Sequence, residues 1–174
     1  MTSLSFYGGI NEIGGNKFLL EEKGTKVLMD FGMSFGAEGR YFSEFMRSRL
    51  SNWLADMFEL GLLPKIDGLY RQDYAKHVGF GGDEETEIDA VLLTHAHVDH
   101  CAYIQYLRAD IPIYCSEESR LIMQNFDETS NAQYLTLKEK FQVYQNSKGE
   151  ISRATGDKVK IPRNIKVFES GKKF

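Results

Sequence analysis

The sequence constrains the fold most strongly at Thr94-His95-Ala96-His97-Val98-Asp99-His100. Three of the four histidines of the chain fall between positions 95 and 100. The residues directly before them form a largely apolar run of strand length, Glu87-Ile88-Asp89-Ala90-Val91-Leu92-Leu93-Thr94. Such a run is typical of a strand that is buried on both faces. We therefore predict a cluster of polar side chains at the point where a buried strand ends.

The spacing within this cluster suits metal ions. Residues two positions apart on an extended chain point to the same side, so His95 and His97 can hold one cation. Asp99 and His100 follow where the chain turns into a predicted helix, and they can hold a second cation. Imidazole and carboxylate ligands suit Zn²⁺, and also Mn²⁺ or Fe. We predict two divalent metal ions, Zn²⁺ before the others, with catalytic roles for Asp99 and His100.

Two neighbouring cations indicate a hydrolase. At a separation of about 3.5–4 Å they can share a hydroxide, lower the pKa of its parent water toward ~7 and stabilise the charge that develops on an ester or phosphodiester. Each residue also has an ordinary interpretation: Asp99 as a helix cap, His100 as a helix-face residue, and His95 and His97 as histidines exposed by chance. We favour the metal site because these separate explanations would all have to hold together.

Asp30 is a further candidate. It ends an apolar strand, where a lone carboxylate must find a partner or water. Its carboxylate could orient a metal-bound histidine through a hydrogen bond, or Asp30 could be an ordinary turn residue, and spacing alone does not separate the two. We expect the isolated His77 to be a surface or packing histidine.

The composition indicates an ordinary globular protein of 174 residues, 42% hydrophobic and 26% charged, so one domain is expected. The apolar runs are far shorter than the roughly 20 residues of a membrane span, and Met1-Thr2-Ser3-Leu4 lacks the layout of a signal peptide. We expect a cytoplasmic protein without membrane contact, in which Cys101 and Cys115 are reduced thiols.

The net charge of −4 argues against nucleic-acid binding by bulk positive charge. Two cations would nevertheless add about four positive charges where a phosphate must sit, so a nuclease stays open.

The chain opens with predicted β structure. Apolar and polar residues alternate around Leu4–Tyr7 and Lys17–Leu20, a third strand is expected at Lys26–Asp30, and Glu21–Thr25 reads as a hairpin connection. Between the first two strands, the glycine-rich stretch 8–16 allows close approach to a neighbouring segment. We therefore expect an antiparallel β opening.

Helices and strands follow. The predicted helical segments are Tyr41–Leu50, Asn52–Leu60, His100–Arg108, a helix capped by Ser116 and running to about Asp127, and a partly helical region at Leu135–Tyr144. Further strands are expected at Ile111–Cys115 and Ile165–Glu169. Aromatic residues crowd the segment around 33–82, and they could line a binding wall or pack this segment onto the domain. We favour packing for this group, which includes Phe42, Phe45, Trp53, Phe58, Tyr70 and Tyr74.

The string His95-Ala96-His97-Val98-Asp99-His100 resembles the H-x-H-x-D-H signature of the metallo-β-lactamase superfamily. The glycine-rich stretch Gly8–Asn16, followed by Met29-Asp30-Phe31-Gly32, is similar to the opening of its ribonuclease J-like and β-CASP branch. The resemblance implies an α/β fold, the first half of an αββα sandwich with a mixed, mostly antiparallel sheet flanked by helices. It also implies a place for Asp30 near the metals, and cleavage of RNA or DNA phosphodiesters.

Members of that family complete the metal site with a histidine, a bridging aspartate and a last histidine further along the chain, and no histidine follows His100 here. We expect residues 1–174 to be the N-terminal part of a metallo-β-lactamase domain, with an inserted helical segment around 33–82 and no activity by itself. The whole protein is expected to be a ribonuclease similar to ribonuclease J that cleaves single-stranded RNA, and it could form a homo-oligomer. A hydrolase of small thioesters, lactones or phosphoesters and a non-catalytic module of the same fold remain as alternatives.

Overall fold

The computed structural model describes residues 1–42, 52–138, 142–154 and 159–173. The strands are β1 Ser3–Gly8, β2 Lys17–Glu22, β3 Thr25–Met29, β4 Ala90–Leu92, β5 Ile113–Cys115, β6 Thr136–Lys138, β7 Gln142–Gln145, β8 Ile151–Ala154, β9 Lys160–Pro162 and β10 Ile165–Val167. The helices are α1 Phe35–Tyr41, α2 Trp53–Glu59, α3 Gln72–His77, α4 Val98–Cys101 and α5 Glu117–Thr129, with a 3₁₀ helix at Ala102–Tyr106.

A mixed sheet of six strands organises the molecule, in the order β1-β2-β3-β4-β5-β10. The pairs β1–β2 and β2–β3 are antiparallel, and the turn between the second pair holds Lys23 and Gly24 at positive φ. The pairs β3–β4, β4–β5 and β5–β10 are parallel. Two small antiparallel sheets, β6–β9 and β7–β8, complete the described strands. The predicted antiparallel opening and the mixed α/β class are confirmed.

The core lies on one face of this sheet. Leu28, Val91 and Ile113 are ladder partners across β3, β4 and β5, and each is fully buried. Partners in a ladder point to the same face, and these three side chains form one cluster with residues of the helices, among them Leu54 and Tyr74.

The other face of the sheet is only partly covered. Met29 and Leu92 are half-buried ladder partners on this face, and Leu4 and Phe6 of β1 are 49% and 52% exposed. The prediction that residues 87–94 are buried on both faces is therefore correct for one face only. The strand itself is also shorter, since β4 covers Ala90–Leu92.

One predicted element is wrong. The region Leu135–Tyr144 was expected to be partly helical, and its described residues form β6 and β7. The reason is a strand partner that is distant in the sequence: β6 pairs antiparallel with β9, with Leu137 opposite Ile161. The Asp127 carboxylate also accepts from the backbone N–H groups of Tyr134, Leu135 and Thr136, which holds the chain at the start of β6.

Other predicted elements are found near their expected bounds. The helix at Asn52–Leu60 appears as α2, and Ser116 caps α5 by accepting a hydrogen bond from the Ser119 N–H group. The segment His100–Arg108 is helical, but most of it is the 3₁₀ helix. The helix predicted for Tyr41–Leu50 lies outside the described residues, apart from its first two. The helix α1 was not predicted, because two glycines lower its helix propensity.

The described aromatic residues of the segment 33–82 pack into the core, as the sequence analysis predicted. Trp53 lies edge-on to Tyr106 with ring centroids 5.1 Å apart, and Phe58 meets Tyr70 in the same manner. Tyr74 is 3% exposed, and Phe42 packs partly buried against this cluster, whereas Phe45 lies outside the described residues. His77 is half-buried at the last position of α3.

Both cysteines are free thiols in the core, and burial raises the pKa of Cys101 to about 12 and that of Cys115 to about 11. Among the helices that the structure describes, none has the length and apolar character that crossing a membrane requires.

Candidate metal centre

The candidate site lies at the edge of the sheet where β3 and β4 end. These strands are parallel, with Met29 opposite Leu92, so the residues that follow them emerge side by side. The Asp30 N–H group donates to the Leu92 carbonyl oxygen at 3.0 Å. This pairing brings Asp30 next to Thr94 and the histidines that follow it.

Asp30 is the buried anchor of the site. It is 2% exposed and has a φ of 59°, a left-handed conformation that is uncommon for a residue with a side chain. One carboxylate oxygen accepts from the Thr94 N–H group at 2.8 Å, and both are within 3.0 Å of the Thr94 hydroxyl. Its Oδ2 also lies 2.8 Å from Nδ1 of His100. A single carboxylate therefore contacts both the end of β4 and an imidazole of the cluster.

The histidines predicted as ligands lie together. Nε2 of His95 is 3.0 Å from Nδ1 of His97, and the ring centroids of His95 and His100 are 4.0 Å apart. Nε2 of His100 lies 3.4 Å from Oδ2 of Asp99. Burial, followed by the nearby His100 and His97, lowers the pKa of His95, which favours the neutral imidazole that binds metals.

The donor chemistry fits a divalent cation, but the coordination sphere is incomplete. Imidazole nitrogens and a carboxylate are the ligands of catalytic zinc and related metals. Among the described residues, however, no group of three or more histidine, cysteine, aspartate or glutamate side chains is arranged to hold an ion. The rings are close, yet His95 and His97 face each other at hydrogen-bond distance rather than a common point.

Three backbone segments meet at this site in close contact. The Phe31 N–H group donates to the His100 carbonyl oxygen at 2.8 Å, and the Asn16 N–H group donates to that of Asp99 at 3.2 Å. The Gly32 N–H group donates to the Asn16 carbonyl oxygen, and a Cβ atom at Gly32 would lie 1.7 Å from the Asp99 carbonyl oxygen. Only glycine fits at position 32 without moving Asp99.

Asn16 and Thr94 are site residues that sequence reasoning did not single out. Nδ2 of Asn16 lies 3.2 Å from Nε2 of His100, and the Thr94 hydroxyl lies 3.0 Å from Nδ1 of His95. Asn16 ends the glycine-rich stretch and Thr94 directly precedes the histidines, so their positions were the available indication. Between them the two side chains contact both ring nitrogens of His100.

Lys17 is buried behind the glycine-rich stretch and was also missed. It is 2% exposed, its Nζ donates to the Gly15 carbonyl oxygen at 3.1 Å, and Nζ lies 5.1 Å from the ring centroid of Tyr103. Burial lowers the pKa of Lys17 to about 8, and the nearby carboxylates of Glu12 and Glu38 oppose this shift. Lys17 thus fixes the position of Gly15, the neighbour of Asn16. Removing the charged amine of Lys17 from water opposes this arrangement.

This pKa predicts a dependence of stability on pH. The pKa of Lys17 falls from 10.5 in the unfolded chain to about 8 in the folded chain. Between these values the unfolded state binds more protons, so the free energy of unfolding rises with pH. From about pH 7 to about pH 10 we expect a rise of about 2 kcal/mol relative to a Lys17→Met variant, measured by urea unfolding.

A Lys148→Met variant is the control, because Lys148 is exposed in a turn. It should show the same pH dependence as the natural chain. If Lys17→Met also follows that course, the buried lysine is not responsible.

Residues 66–155 match the family model of the beta-lactamase superfamily domain, which is just over half of the chain. The chain therefore belongs to the beta-lactamase superfamily, as the string His95–His100 indicated. It is 28% identical to transcription termination factor FttA of Methanocaldococcus jannaschii over 123 residues, 69% of this chain and 14% of that protein. It is also 28% identical to ribonuclease J of Helicobacter pylori over 130 residues, 73% of this chain and 15% of that protein.

A solved structure shows the same fold. A protein of unknown function from Enterococcus faecalis V583 superposes with a TM-score of 0.56 at 26% identity, over 74% of this chain and 28% of that chain. The likeness to ribonuclease J supports the resemblance to the ribonuclease J-like branch of the superfamily. The chain spans only 14% and 15% of the length of the two sequence relatives above.

Proposed function

We propose that the intact protein is a metal-dependent hydrolase similar to ribonuclease J that cleaves phosphodiester bonds of single-stranded RNA. The observation that carries this proposal is the proximity of His95, His97, Asp99 and His100 beyond the end of β4, with Asp30 bound to His100 at 2.8 Å. Membership of the superfamily and the likeness to ribonuclease J support it.

The proposed roles follow from the positions of the ring nitrogens. His95 and His97 would hold one cation, and Asp99 and His100 the other. Nδ1 of His100 faces Asp30, so its Nε2, on the side of Asp99, is the nitrogen that would bind a metal, in exchange for its contact with the Asn16 amide. Two bound cations, Zn²⁺ before Mn²⁺ or Fe, would supply an activated water and stabilise charge on the phosphate. The Asp30 carboxylate would keep the proton of His100 on Nδ1.

RNA is compatible with the negative charge of the chain. The net charge is −4, but a phosphate at this site would meet the local field of the cations rather than the average charge of the surface. Asp99 and His100 have side chains that are 23% and 21% exposed, so the edge of the sheet is open to a substrate. A cytoplasmic location and a homo-oligomeric state remain part of the proposal.

The test uses the intact protein and labelled single-stranded RNA. We expect cleavage with Zn²⁺ or Mn²⁺, its loss with a chelator, and its recovery when the metal is added back. If the RNA stays equally intact with metal and with chelator, the proposal is contradicted.

Two further measurements separate the alternatives. Hydrolysis of a thioester, lactone or small phosphoester in place of RNA would favour a small-molecule hydrolase of the same superfamily. Less than one divalent ion per chain after purification with excess metal would favour a non-catalytic module.

A further inference from the structure

A cavity of about 560 Å³ lies at the edge of the sheet opposite the metal centre. Its wall includes Asp110, which precedes β5, and Arg163, which precedes β10. The metal centre instead follows the ends of β3 and β4. Because β3, β4, β5 and β10 are parallel to one another, the residues that precede these strands and the residues that follow them lie at opposite edges of the sheet. The cavity is therefore separate from the site described above.

Three arginines line this cavity, and two of them are neutralised. Arg71 makes two hydrogen bonds of 2.7 Å to the carboxylate of Asp73. Arg108 makes bonds of 2.9 and 2.6 Å to the carboxylate of Asp110. Both acids also line the cavity, so each of these pairs contributes no net charge.

Arg163 is the third arginine, and its charge is not balanced in this way. It is 6% exposed and donates to the carbonyl oxygens of Ile104, Arg108 and Gln133, at 2.6, 3.0 and 3.5 Å. Within the described ranges, no carboxylate forms an ion pair with it. A guanidinium has five N–H donors, so these three bonds leave two donors for another acceptor.

Arg71 adds positive charge near Arg163, and the carboxylate of Asp127 opposes this effect without forming an ion pair with Arg163. Arg71 donates to the side-chain oxygen of Gln133, whose backbone oxygen accepts from Arg163, so the two guanidinium groups share one residue. Burial and then the charge of Arg71 lower the pKa of Arg163 to about 9, which leaves it protonated at neutral pH. Burying a charge without a carboxylate in direct contact is costly, and an anion in the cavity would offset that cost.

We propose that this cavity binds a small phosphate monoester of about the size of a mononucleotide, with its phosphate paired to Arg163. The volume lies in the range of small-molecule sites, roughly 300–1,000 Å³, and guanidinium groups match the oxygens of a phosphate. A continuous RNA backbone would need a series of phosphate sites, and the described lining offers one arginine that is not paired with a carboxylate. A single phosphate group would pair with Arg163, the one arginine of the described lining that is not bound to a carboxylate.

The test is calorimetric titration of the intact protein with adenosine monophosphate, inorganic phosphate and adenosine. A chelator is present throughout, so that metal ions at the other edge do not contribute and the result does not depend on the proposed hydrolysis. We expect adenosine monophosphate and phosphate to bind and adenosine to bind far more weakly. Equal binding of adenosine and adenosine monophosphate, or no binding of either at millimolar concentration, would overturn the proposal.

Two variants test whether the ligand binds in the cavity. Gln72 and Asn164 are exposed lining residues, and Gln72→Glu or Asn164→Asp adds a negative charge without changing shape. Each should weaken binding about threefold to tenfold. Asn125→Asp, on the exposed side of α5 and outside the cavity wall, is the matched control and should bind as the natural protein does.

Removal of the buried charge is the stronger variant. Arg163→Met should abolish binding, and since it also removes bonds to three carbonyl groups, its fold is checked by circular dichroism. Unchanged affinity in both Gln72→Glu and Asn164→Asp, or in a folded Arg163→Met protein, would contradict the assignment. Tight binding of single-stranded RNA that these same variants weaken would identify RNA as the occupant and overturn the proposal for a small ligand.

Discussion

Replacement of His97 by alanine is expected to reduce metal-dependent RNA cleavage by the intact protein by roughly a thousandfold or more. The imidazole of His97 lies 3.0 Å from that of His95, and the two are proposed to hold the same cation. Loss of one ligand weakens binding of the cation, and the water that the cation would activate is lost with it. Because His97 is exposed, its removal should change the free energy of unfolding by less than about 0.5 kcal/mol.

The matched control for this prediction is His77→Ala. It removes the only histidine outside the cluster, and it should keep both the cleavage rate and the metal content. Rates are measured on labelled RNA, metal content by elemental analysis, and folding by thermal unfolding. A His97→Ala protein with natural activity and metal content would show that the cluster is not the hydrolytic site.

Gly32→Ala is expected to disrupt the same site through the backbone. The added Cβ would lie 1.7 Å from the Asp99 carbonyl oxygen and 2.5 Å from the His100 nitrogen. Both are backbone atoms of proposed ligands, so the clash cannot be relieved by rotating a side chain. We expect a loss of about 3 kcal/mol in the free energy of unfolding, together with loss of metal binding and cleavage.

The control is Gly39→Ala. A Cβ at Gly39 of α1 meets nothing within 4 Å, and alanine in a helix is favoured over glycine by up to about 1 kcal/mol. This variant should be as stable as the natural protein or more so, with unchanged activity. Urea unfolding and metal titration compare the two, and a Gly32→Ala protein that binds metal normally would contradict the close packing described here.

The sequence predicted what depends on local patterns. Alternation and a glycine turn predicted β1 to β3, and the position of Asp30 at a strand end made it a candidate partner of the histidines, with a turn residue as the alternative. The contact between Asp30 and Thr94 spans 64 positions of the chain, and only the parallel pairing of β3 with β4 produces it. Local pattern could therefore suggest Asp30 but could not choose between a turn residue and a partner of His100.

The features that were missed depend on distant partners. Lys17 appears in the sequence as an ordinary polar residue of a strand, and its burial against Tyr103 follows from tertiary packing alone. In the same way, residues 136–138 form a strand because residues 160–162 pair with them. Arg163 faces carbonyl groups up to 59 positions away in the chain. No local periodicity encodes such contacts.

The direct tie between β3 and β4 makes the histidine cluster tolerant of changes in the length of the chain that connects the two strands. Asp30 contacts Thr94 and His100 directly, although the two contacts span 64 and 70 positions of the chain. Since the entropy of closing a loop grows only slowly with loop length, an insertion at an exposed position of this connection, away from core residues such as Leu54 and Tyr74, would cost little free energy and would leave the cluster in place.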